Sequence, residues 1–342
     1  MKKTTSILLI FMLLLTLCAC GNGNTKNIST SSPKAESSTN TPTKREPVTF
    51  KIHSLKGPTT IGITKLMADS EAGKTTDTYN VTMHGTADEI AAGMIKGDVD
   101  VALVPVNLAS VLYQKTKQSV TVAAINTLGV LYVVETGDSV HSITDLKGKT
   151  IYSTGKGTTP EFALNYILTA NGINPEKDVT IEYKSESTEV VATLQNSENA
   201  IAVLPEPYVT TASIKNPKIH SVLNLSEEWD KVSKDGSGMV TAVVLVRNEF
   251  LEANKEAFKE FMTEYKKSVD WVNGNVSDAA ALCEKYDIVP AAVAKKAIPN
   301  CNITFITGEE MKTKVSGYLS VLKEANPASI GGSLPEDNFY LK

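Results

Sequence analysis

Histidine, cysteine and tryptophan are scarce in this sequence, and their scarcity excludes several classes of protein. The 342 residues include only four cysteines and two tryptophans. The four histidines are widely separated along the chain: His53, His84, His141 and His220. That spacing fits neither a metal-binding motif nor a catalytic triad, and the Gly-x-Ser-x-Gly motif of a serine nucleophile does not occur. We therefore expect no metal, no cofactor and no triad of the serine-hydrolase type.

An excess of one charge is also missing. The chain has 34 lysines and arginines against 38 aspartates and glutamates, a formal net charge of −4 at pH 7. Without a basic patch we expect no nucleic-acid partner. The apolar fraction of 42% is ordinary for a soluble globular protein, and the length favours two domains or lobes.

The most apolar stretch lies at the N-terminus. Two lysines precede the apolar segment Ile7 to Leu17, which is too short to span a membrane well. Leu17 stands three residues before Cys20, and the small residue Ala19 stands directly before it. This pattern resembles the bacterial lipobox. It predicts that residues 1–19 are a signal peptide and that Cys20 is lipidated, anchoring the chain to the outer face of a membrane; the alternative is an ordinary secretory signal.

The segment that follows, residues 20–46, consists almost entirely of serine, threonine, asparagine, glycine, lysine and proline. Such a composition cannot bury a hydrophobic core. We therefore expect a disordered tether between the anchor and the folded part of the chain.

Only two cysteines, Cys283 and Cys301, lie in the expected folded part. In an exported protein, a lone pair of cysteines is more often bonded than free. The sequence thus favours a disulfide, and the alternative is two separately buried thiols.

From residue 47 onward, strand patterns alternate with helix patterns. The first unit is a strand from Val48 to Ser54, a turn at Gly57, and a helix through Met67 capped by Thr59 or Thr60. The chain from 248 onward is expected to be mostly helical. Further strands, with helices between them, are expected at 79–84, 99–104, 120–125, 131–134, 149–153, 179–183, 200–204, 219–223 and 239–246. Alternation with short loops predicts an α/β protein with mostly parallel sheets.

The order of these elements predicts two lobes. Residues 47–133 and 242–342 form lobe one, and residues 134–241 form lobe two. The chain would cross between the lobes near 131–135 and again near 241–247, and the late helices would pack on lobe one. Two crossing segments make a hinge that permits closure around a ligand.

Three sequence motifs resemble a known family: Asp145-Leu-Lys-Gly-Lys-Thr150, Gly155-Lys-Gly-Thr-Thr159 and Leu204-Pro-Glu-Pro-Tyr208. Together with the lipobox, they are similar to the bacterial substrate-binding lipoproteins of ABC importers, in the branch that includes carriers for alkanesulfonates, nitrate and thiamine pyrimidine precursors. The resemblance covers essentially all of residues 47–342. It implies a type II periplasmic-binding-protein fold, no catalysis, and a permease with its ATPase as partner.

Candidate ligand-binding residues of lobe one follow strand ends, where an open α/β sheet presents helix starts to a ligand. They are Ser54, Gly57, Thr59, Thr60, Thr86, Asn107, Asn126 and Thr127. Thr86 and Glu89 also match a capping box, and Asn107 is expected to cap the next helix. Each of these residues could equally be only a helix cap or a turn former.

Lobe two contributes the loop Gly155, Lys156, Gly157, Thr158 and Thr159, of which Thr159 is expected to cap the helix that follows. Its glycines allow backbone amides to approach a ligand, and the helix start favours negative charge. Lys156 could pair with an acidic group or be a solvated loop residue.

Glu206 could accept a hydrogen bond from the ligand or be only a carboxylate at a helix start. Tyr132 and Tyr208 could stack on a ring or pack in the core.

The leading interpretation is a monomeric, lipid-anchored receptor that captures a small polar or anionic molecule for an ABC importer. A sensory module without a transporter is an alternative. An enzyme of pyrimidine synthesis is disfavoured, because the resembling enzymes carry a cysteine cluster and the folded part here has only Cys283 and Cys301. The ligand itself stays open between a sulfonate-type anion and a small heteroaromatic molecule.

Overall fold

The computed structural model describes residues 45–233 and 235–342. The predicted signal peptide, the lipidated Cys20 and nearly all of the tether lie outside the described residues. Residues 46–342 form one compact unit.

Eleven strands are found among the described residues. In chain order they are β1 (Thr49–Leu55), β2 (Thr78–His84), β3 (Val101–Pro105), β4 (Val120–Leu128), β5 (Leu131–Glu135), β6 (Thr150–Ser153), β7 (Thr180–Tyr183), β8 (Ile201–Pro205), β9 (His220–Asn224), β10 (Val240–Arg247) and β11 (Ile303–Ile306).

Thirteen α-helices accompany them in the same part of the chain: α1 (Pro58–Ile61), α2 (Thr64–Glu71), α3 (Ala87–Lys96), α4 (Val106–Lys115), α5 (Thr159–Ala170), α6 (Ser187–Gln195), α7 (Tyr208–Lys215), α8 (Leu225–Val232), α9 (Asn248–Ala253), α10 (Lys255–Gly274), α11 (Val276–Lys285), α12 (Ala291–Ala297) and α13 (Gly308–Ala325). Short 3₁₀ helices occupy Ile143–Leu146, Ile298–Asn300, Pro327–Ile330 and Asp337–Phe339.

The strands form two mixed sheets. The first has the order β11-β4-β10-β3-β1-β2 and the second the order β7-β6-β8-β5-β9. The central strands β3 and β10 are apolar over nearly their whole length and almost completely buried, as strands covered by helices on both faces should be. The predicted α/β fold of two sheets is thus confirmed.

Strand direction decides how the two sheets face each other. In the first sheet β1, β2 and β3 are parallel, and β10 is antiparallel to both β3 and β4, so β4 runs with β3. In the second sheet β6, β7 and β8 are parallel, and β5 is antiparallel to β8 and β9. We call the edge at which the parallel strands end the carboxyl edge of each sheet.

Both chain crossings join the two carboxyl edges. The first runs from the end of β4 through Gly129 and Val130 to the start of β5. The second runs from the end of β9 through α8 to the start of β10. Since β4 ends and β10 begins at one carboxyl edge, and β5 begins and β9 ends at the other, the two carboxyl edges face each other. The lobe boundaries at 133/134 and 241/242 stay predictions; β5, which the first boundary divides, lies wholly in the second sheet.

The late helices were predicted to pack on lobe one, but they contact lobe two as well. The aromatic ring of Trp229 in α8 lies between Tyr166 of α5 and Tyr318 of α13, with ring centroids 4.2 Å and 5.1 Å away. Helix α13 also contacts α4 of the first lobe, and α12 contacts α7 of the second. Because α13 spans 18 residues, about 27 Å, it is long enough to touch both lobes. The second lobe therefore shares part of its core with α13 instead of having a core entirely its own.

Two elements were not predicted from the sequence, namely helix α8 and strand β11. Strand β11 has only four residues, too few for a clear pattern, whereas Leu225, Trp229 and Val232 of α8 recur at helical spacing, a signal from which that helix could have been predicted. Among residues 45–233 and 235–342, no helix combines the length and apolar character needed to cross a membrane.

Candidate functional site

The facing carboxyl edges carry the loops in which the predicted site residues lie. On the first sheet these are the β1–α1, β2–α3 and β3–α4 junctions and the end of β4. On the second they are the β6–α5, β7–α6 and β8–α7 junctions. The topology therefore places the predicted residues of both lobes on the two opposed edges, although ligand contact by any of them stays a prediction.

A chain of hydroxyl groups fixes the β1–α1 junction. Thr60 Oγ1 donates to the carbonyl of Leu55 at 2.8 Å, so the hydroxyl of Ser54, 2.6 Å from Thr60 Oγ1, must be the donor in that second contact. Both side chains are completely buried. The N-cap is Gly57, with φ of 126°, and Thr59 and Thr60 lie inside α1; the predicted threonine cap is wrong because glycine alone adopts this backbone conformation readily.

Asn126 and Thr127 lie within β4, not in the loop expected after it. Asn126 Nδ2 donates to the carbonyl of Thr59 and to the hydroxyl of Tyr265, each at 3.0 Å. A carbonyl can only accept, so this contact fixes the orientation of the amide. Asn126 Oδ1 and Thr127 Oγ1 are then left buried without a protein partner. Buried polar atoms are nearly always satisfied, so this pair marks the end of β4 as a place for a further molecule, whether ligand or water.

Thr86 and Asn107 occupy helix starts, but neither side chain forms the capping hydrogen bond that the sequence predicted. Thr86 stands at the N-cap of α3, but its hydroxyl meets the side chain of Glu89 at 3.4 Å instead of a backbone amide, and the same carboxylate contacts His84 at 2.6 Å. Asn107 is the second residue of α4, whose N-cap is Pro105. Its amide points to the carbonyl of Ser329 at 3.4 Å.

The lobe-two loop closes on itself. Both the amide and the hydroxyl of Thr158 bond to the carbonyl of Gly155, at 3.0 Å and 2.6 Å. Thr158, not Thr159, is the N-cap of α5, which begins at Thr159. Gly155 and Gly157 both have positive φ, of 75° and 74°. These two glycines allow the tight turn, because other residues are strained there.

Two further groups meet this loop. The amide of Gly157 donates to the carboxylate of Glu161, in the first turn of α5. The ammonium of Lys156 lies 5.9 Å from the ring centroid of Tyr183, which ends β7. Burial, and after it the negative charge of Glu161, raises the pKa of the Tyr183 hydroxyl.

Glu206 lies at the β8–α7 junction and is almost completely buried. Its carboxylate accepts from the amide and hydroxyl of Thr210 at 3.1 Å and 3.0 Å and approaches Asn300 Nδ2 at 3.5 Å. The hydroxyl of Tyr132 donates to the carbonyl of Asn300 at 2.8 Å. Burial raises the pKa of Glu206 in spite of these donors. Glu206 therefore precedes α7, accepts hydrogen bonds from its first turn, and joins the segment before β11 to lobe two, whereas Tyr208 is more than a third exposed.

Cys283 and Cys301 are free, fully buried thiols in the structure. The favoured disulfide is thus not formed, and the alternative of two buried thiols describes them. Within the described part of the chain, no group of three or more histidine, cysteine, aspartate or glutamate side chains is arranged to hold a metal ion.

Sequence reasoning missed four residues that shape the two edges, namely Glu161, Tyr183, Tyr265 and Asn300. Glu161 had a detectable signal, because an acidic residue in a first helical turn often reaches back to a preceding amide. The other three are far in sequence from their partners, and nothing in the local sequence identifies them.

Four cavities on the described surface contain none of the predicted site residues. One of about 550 Å³ lies at the opposite, amino edge of the first sheet, between the ends of α3 and α4 and residues 247–249. The chemistry at the carboxyl edges is mostly that of neutral hydroxyl and amide groups, with Lys156 as the cation of the lobe-two loop, so the arrangement suits binding of a polar molecule.

Known structures share this architecture. An ABC transporter protein from Parabacteroides distasonis is 23% identical, with 86% of this chain and 99% of that chain covered and a TM-score of 0.72. The alkanesulfonate-binding protein from Xanthomonas axonopodis, bound to MOPS, is 13% identical over 86% and 96% of the two chains, with a TM-score of 0.59. The periplasmic nitrate-binding protein from Synechocystis is 14% identical over 82% of each chain, with a TM-score of 0.55.

These likenesses show the fold, which is that of the type II periplasmic binding proteins. A comparison of the sequence with curated proteins found no match. Residues 73–295, well over half of the chain, match the family described as the periplasmic substrate-binding protein of a phosphonate ABC transporter. The chain belongs to this family and is the extracytoplasmic substrate-binding component of an ABC import system.

Proposed function

We propose that the protein captures a small molecule carrying an oxyanion group, such as a phosphonate or a sulfonate, between its two carboxyl edges, without chemical turnover. The main support for this proposal is the topology, because both crossings join the carboxyl edges and leave the loops of the two lobes opposed. The family description names phosphonate, and two of the similar structures are named for alkanesulfonate and nitrate. All three are oxyanions, a class that binds well to backbone amides and hydroxyls at helix starts.

The residues that support this proposal differ between the lobes. On lobe one, the unpartnered Thr127 hydroxyl can donate to an oxyanion oxygen, and Asn126 Oδ1 can accept from a donor elsewhere on the ligand. On lobe two, Lys156 and the amides at the start of α5 supply positive potential. Anchoring through Cys20, a monomeric state, and delivery to a permease with its ATPase complete the proposal.

A thermal-shift screen tests this assignment with methylphosphonate, methanesulfonate, nitrate and a hydroxymethylpyrimidine. A specific ligand at a hundredfold excess over its dissociation constant should stabilise the fold by about 2.7 kcal/mol. The double variant Thr158→Ala, Thr159→Ala should lose most of that gain, because it loosens the lobe-two loop, while Thr169→Ala, at the exposed far end of α5, should keep it. A shift with the pyrimidine alone, or one untouched by the double variant, contradicts the proposal.

A further inference from the structure

In this structure the backbone amide of Gly157 is already occupied by the carboxylate of Glu161. This amide lies at the exposed tip of the lobe-two loop, and a side chain built on Gly157 would meet no atom within 4 Å. The tip is therefore open to an incoming molecule. The Gly157 amide is thus bound by the carboxylate of Glu161, which carries a negative charge like the ligands proposed above.

We propose that Glu161 acts as a resident counter-ligand that sets the selectivity of the lobe-two loop. An anionic ligand that takes the Gly157 amide must displace the Glu161 carboxylate, because two anions cannot share one N–H donor and repel each other at this distance. The inference rests on the proposed oxyanion ligand and adds a residue that neither the sequence motifs nor the family match identifies.

The surroundings of Glu161 give the displaced carboxylate a place to go. The ammonium of Lys156 lies 5.9 Å from the ring centroid of Tyr183, and the hydroxyl of that tyrosine is buried without a hydrogen-bond partner in the described part of the chain. Glu161 is itself only partly buried, so its side chain can turn without disturbing the core. A carboxylate released from Gly157 can pair with Lys156. This ion pair offsets part of the free energy lost when the hydrogen bond between Gly157 and Glu161 breaks.

A purely structural role is the competing hypothesis, since a carboxylate at this position also stabilises a helix start. Glu189 in α6 supplies the matched case. Its carboxylate accepts from the amide of Ser185, four residues earlier, at 3.1 Å, as Glu161 does from Gly157. Glu189 lies in α6, on the neighbouring β7–α6 junction, which contains neither the two glycines nor Lys156.

The test measures the affinity of the full-length protein for methylphosphonate, methanesulfonate and nitrate by calorimetry at constant ionic strength. Glu161→Gln keeps an acceptor for Gly157 but removes the charge, and should lower the dissociation constant of the bound anion about tenfold, as expected for replacing a charge-assisted hydrogen bond by a neutral one. Glu161→Ala should tighten binding in the same direction. Glu189→Gln should leave the dissociation constant unchanged.

The outcomes separate this inference from the proposed function. If wild type binds an anion and Glu161→Gln binds it no more tightly, or if Glu189→Gln tightens binding equally, the counter-ligand role is overturned while the proposed function stands. If neither wild type nor the variants bind any of the three anions, both are overturned. Binding by Glu161→Gln that exceeds wild type supports both.

Discussion

At the residue scale, the most informative side chain is Asn126, whose amide ties the end of β4 to the first turn of α1 and to helix α10. Its two donors are used on Thr59 and Tyr265, and its carbonyl oxygen is unpartnered. The amide nitrogen of Asn126 therefore has a structural role, and its carbonyl oxygen is available to the ligand proposed above.

Asn126→Ala should lower the free energy of unfolding by about 1–3 kcal/mol, because the buried Thr59 carbonyl and Tyr265 hydroxyl each lose a partner. Urea denaturation measures the change. The control is Asn196→Ala, which removes a single amide bond to the Ala192 carbonyl at the exposed end of α6 and should cost much less. Equal losses in the two variants would contradict the structural role of Asn126.

Glu206 predicts a dependence of stability on pH. Its pKa is raised from 4.5 by burial, so the folded state holds the proton more tightly than the unfolded state. The stability due to this group is complete below the unfolded pKa and is lost as the pH rises through the folded pKa. Glu206→Gln cannot ionise, so the difference between its free energy of unfolding and that of wild type should change in favour of the variant as the pH rises above 4.5. A difference that stays constant over this range in urea titrations would refute the assignment.

At the element scale, helix α13 contacts both lobes, so the two chain crossings are not all that connects them. It packs on α5 and beside Trp229 in lobe two, and on α4 in lobe one. Closure of the lobes must therefore shear or release this contact in addition to bending the two crossings.

Gly317 lets α13 approach the loop before β10 closely. A Cβ on residue 317 would lie 2.4 Å from the Cβ of Ser237, so Gly317→Ala should lower the stability by about 1–3 kcal/mol through overpacking. The matched change Gly274→Ala, at the end of α10, meets no atom within 4 Å and should be neutral or slightly stabilising. Thermal unfolding of the two variants measures both changes. A Gly317→Ala protein as stable as wild type would contradict close packing of α13 against this loop.

The sequence predicted elements well where one physical signal dominated. Strands β3 and β10 were predictable because a long apolar run bounded by turns is typical of a buried strand. Caps were predicted poorly: Thr59, Asn107 and Thr159 are residue types that suit an N-cap, but Gly57, Pro105 and Thr158 take that position. The site residues Tyr265 and Asn300 depend on contacts far apart in sequence, which local patterns do not contain.

At the scale of the whole molecule, the protein has two sheets whose carboxyl edges oppose each other and are joined by two chain crossings, the second of which contains α8. Membrane attachment, which is part of the proposed function, depends on residues outside the described ranges. Cys20→Ser should shift the protein from the membrane fraction to the soluble fraction, because a lipid anchor accounts for its retention. Cys18→Ser should leave it in the membrane fraction, and equal release of both variants would contradict anchoring at Cys20.

Closure of the two edges on a ligand can be measured directly as a distance. Spin labels placed by Asp88→Cys in α3 and Thr188→Cys in α6, in the Cys20→Ser protein, report on helices that follow β2 and β7, the strands farthest from the crossings. The buried native thiols Cys283 and Cys301 are shielded from labelling. A saturating concentration of the anion found in the thermal-shift screen should shorten the distance between the labels and narrow its distribution. A distribution that stays unchanged while the anion is bound would contradict capture between the two carboxyl edges.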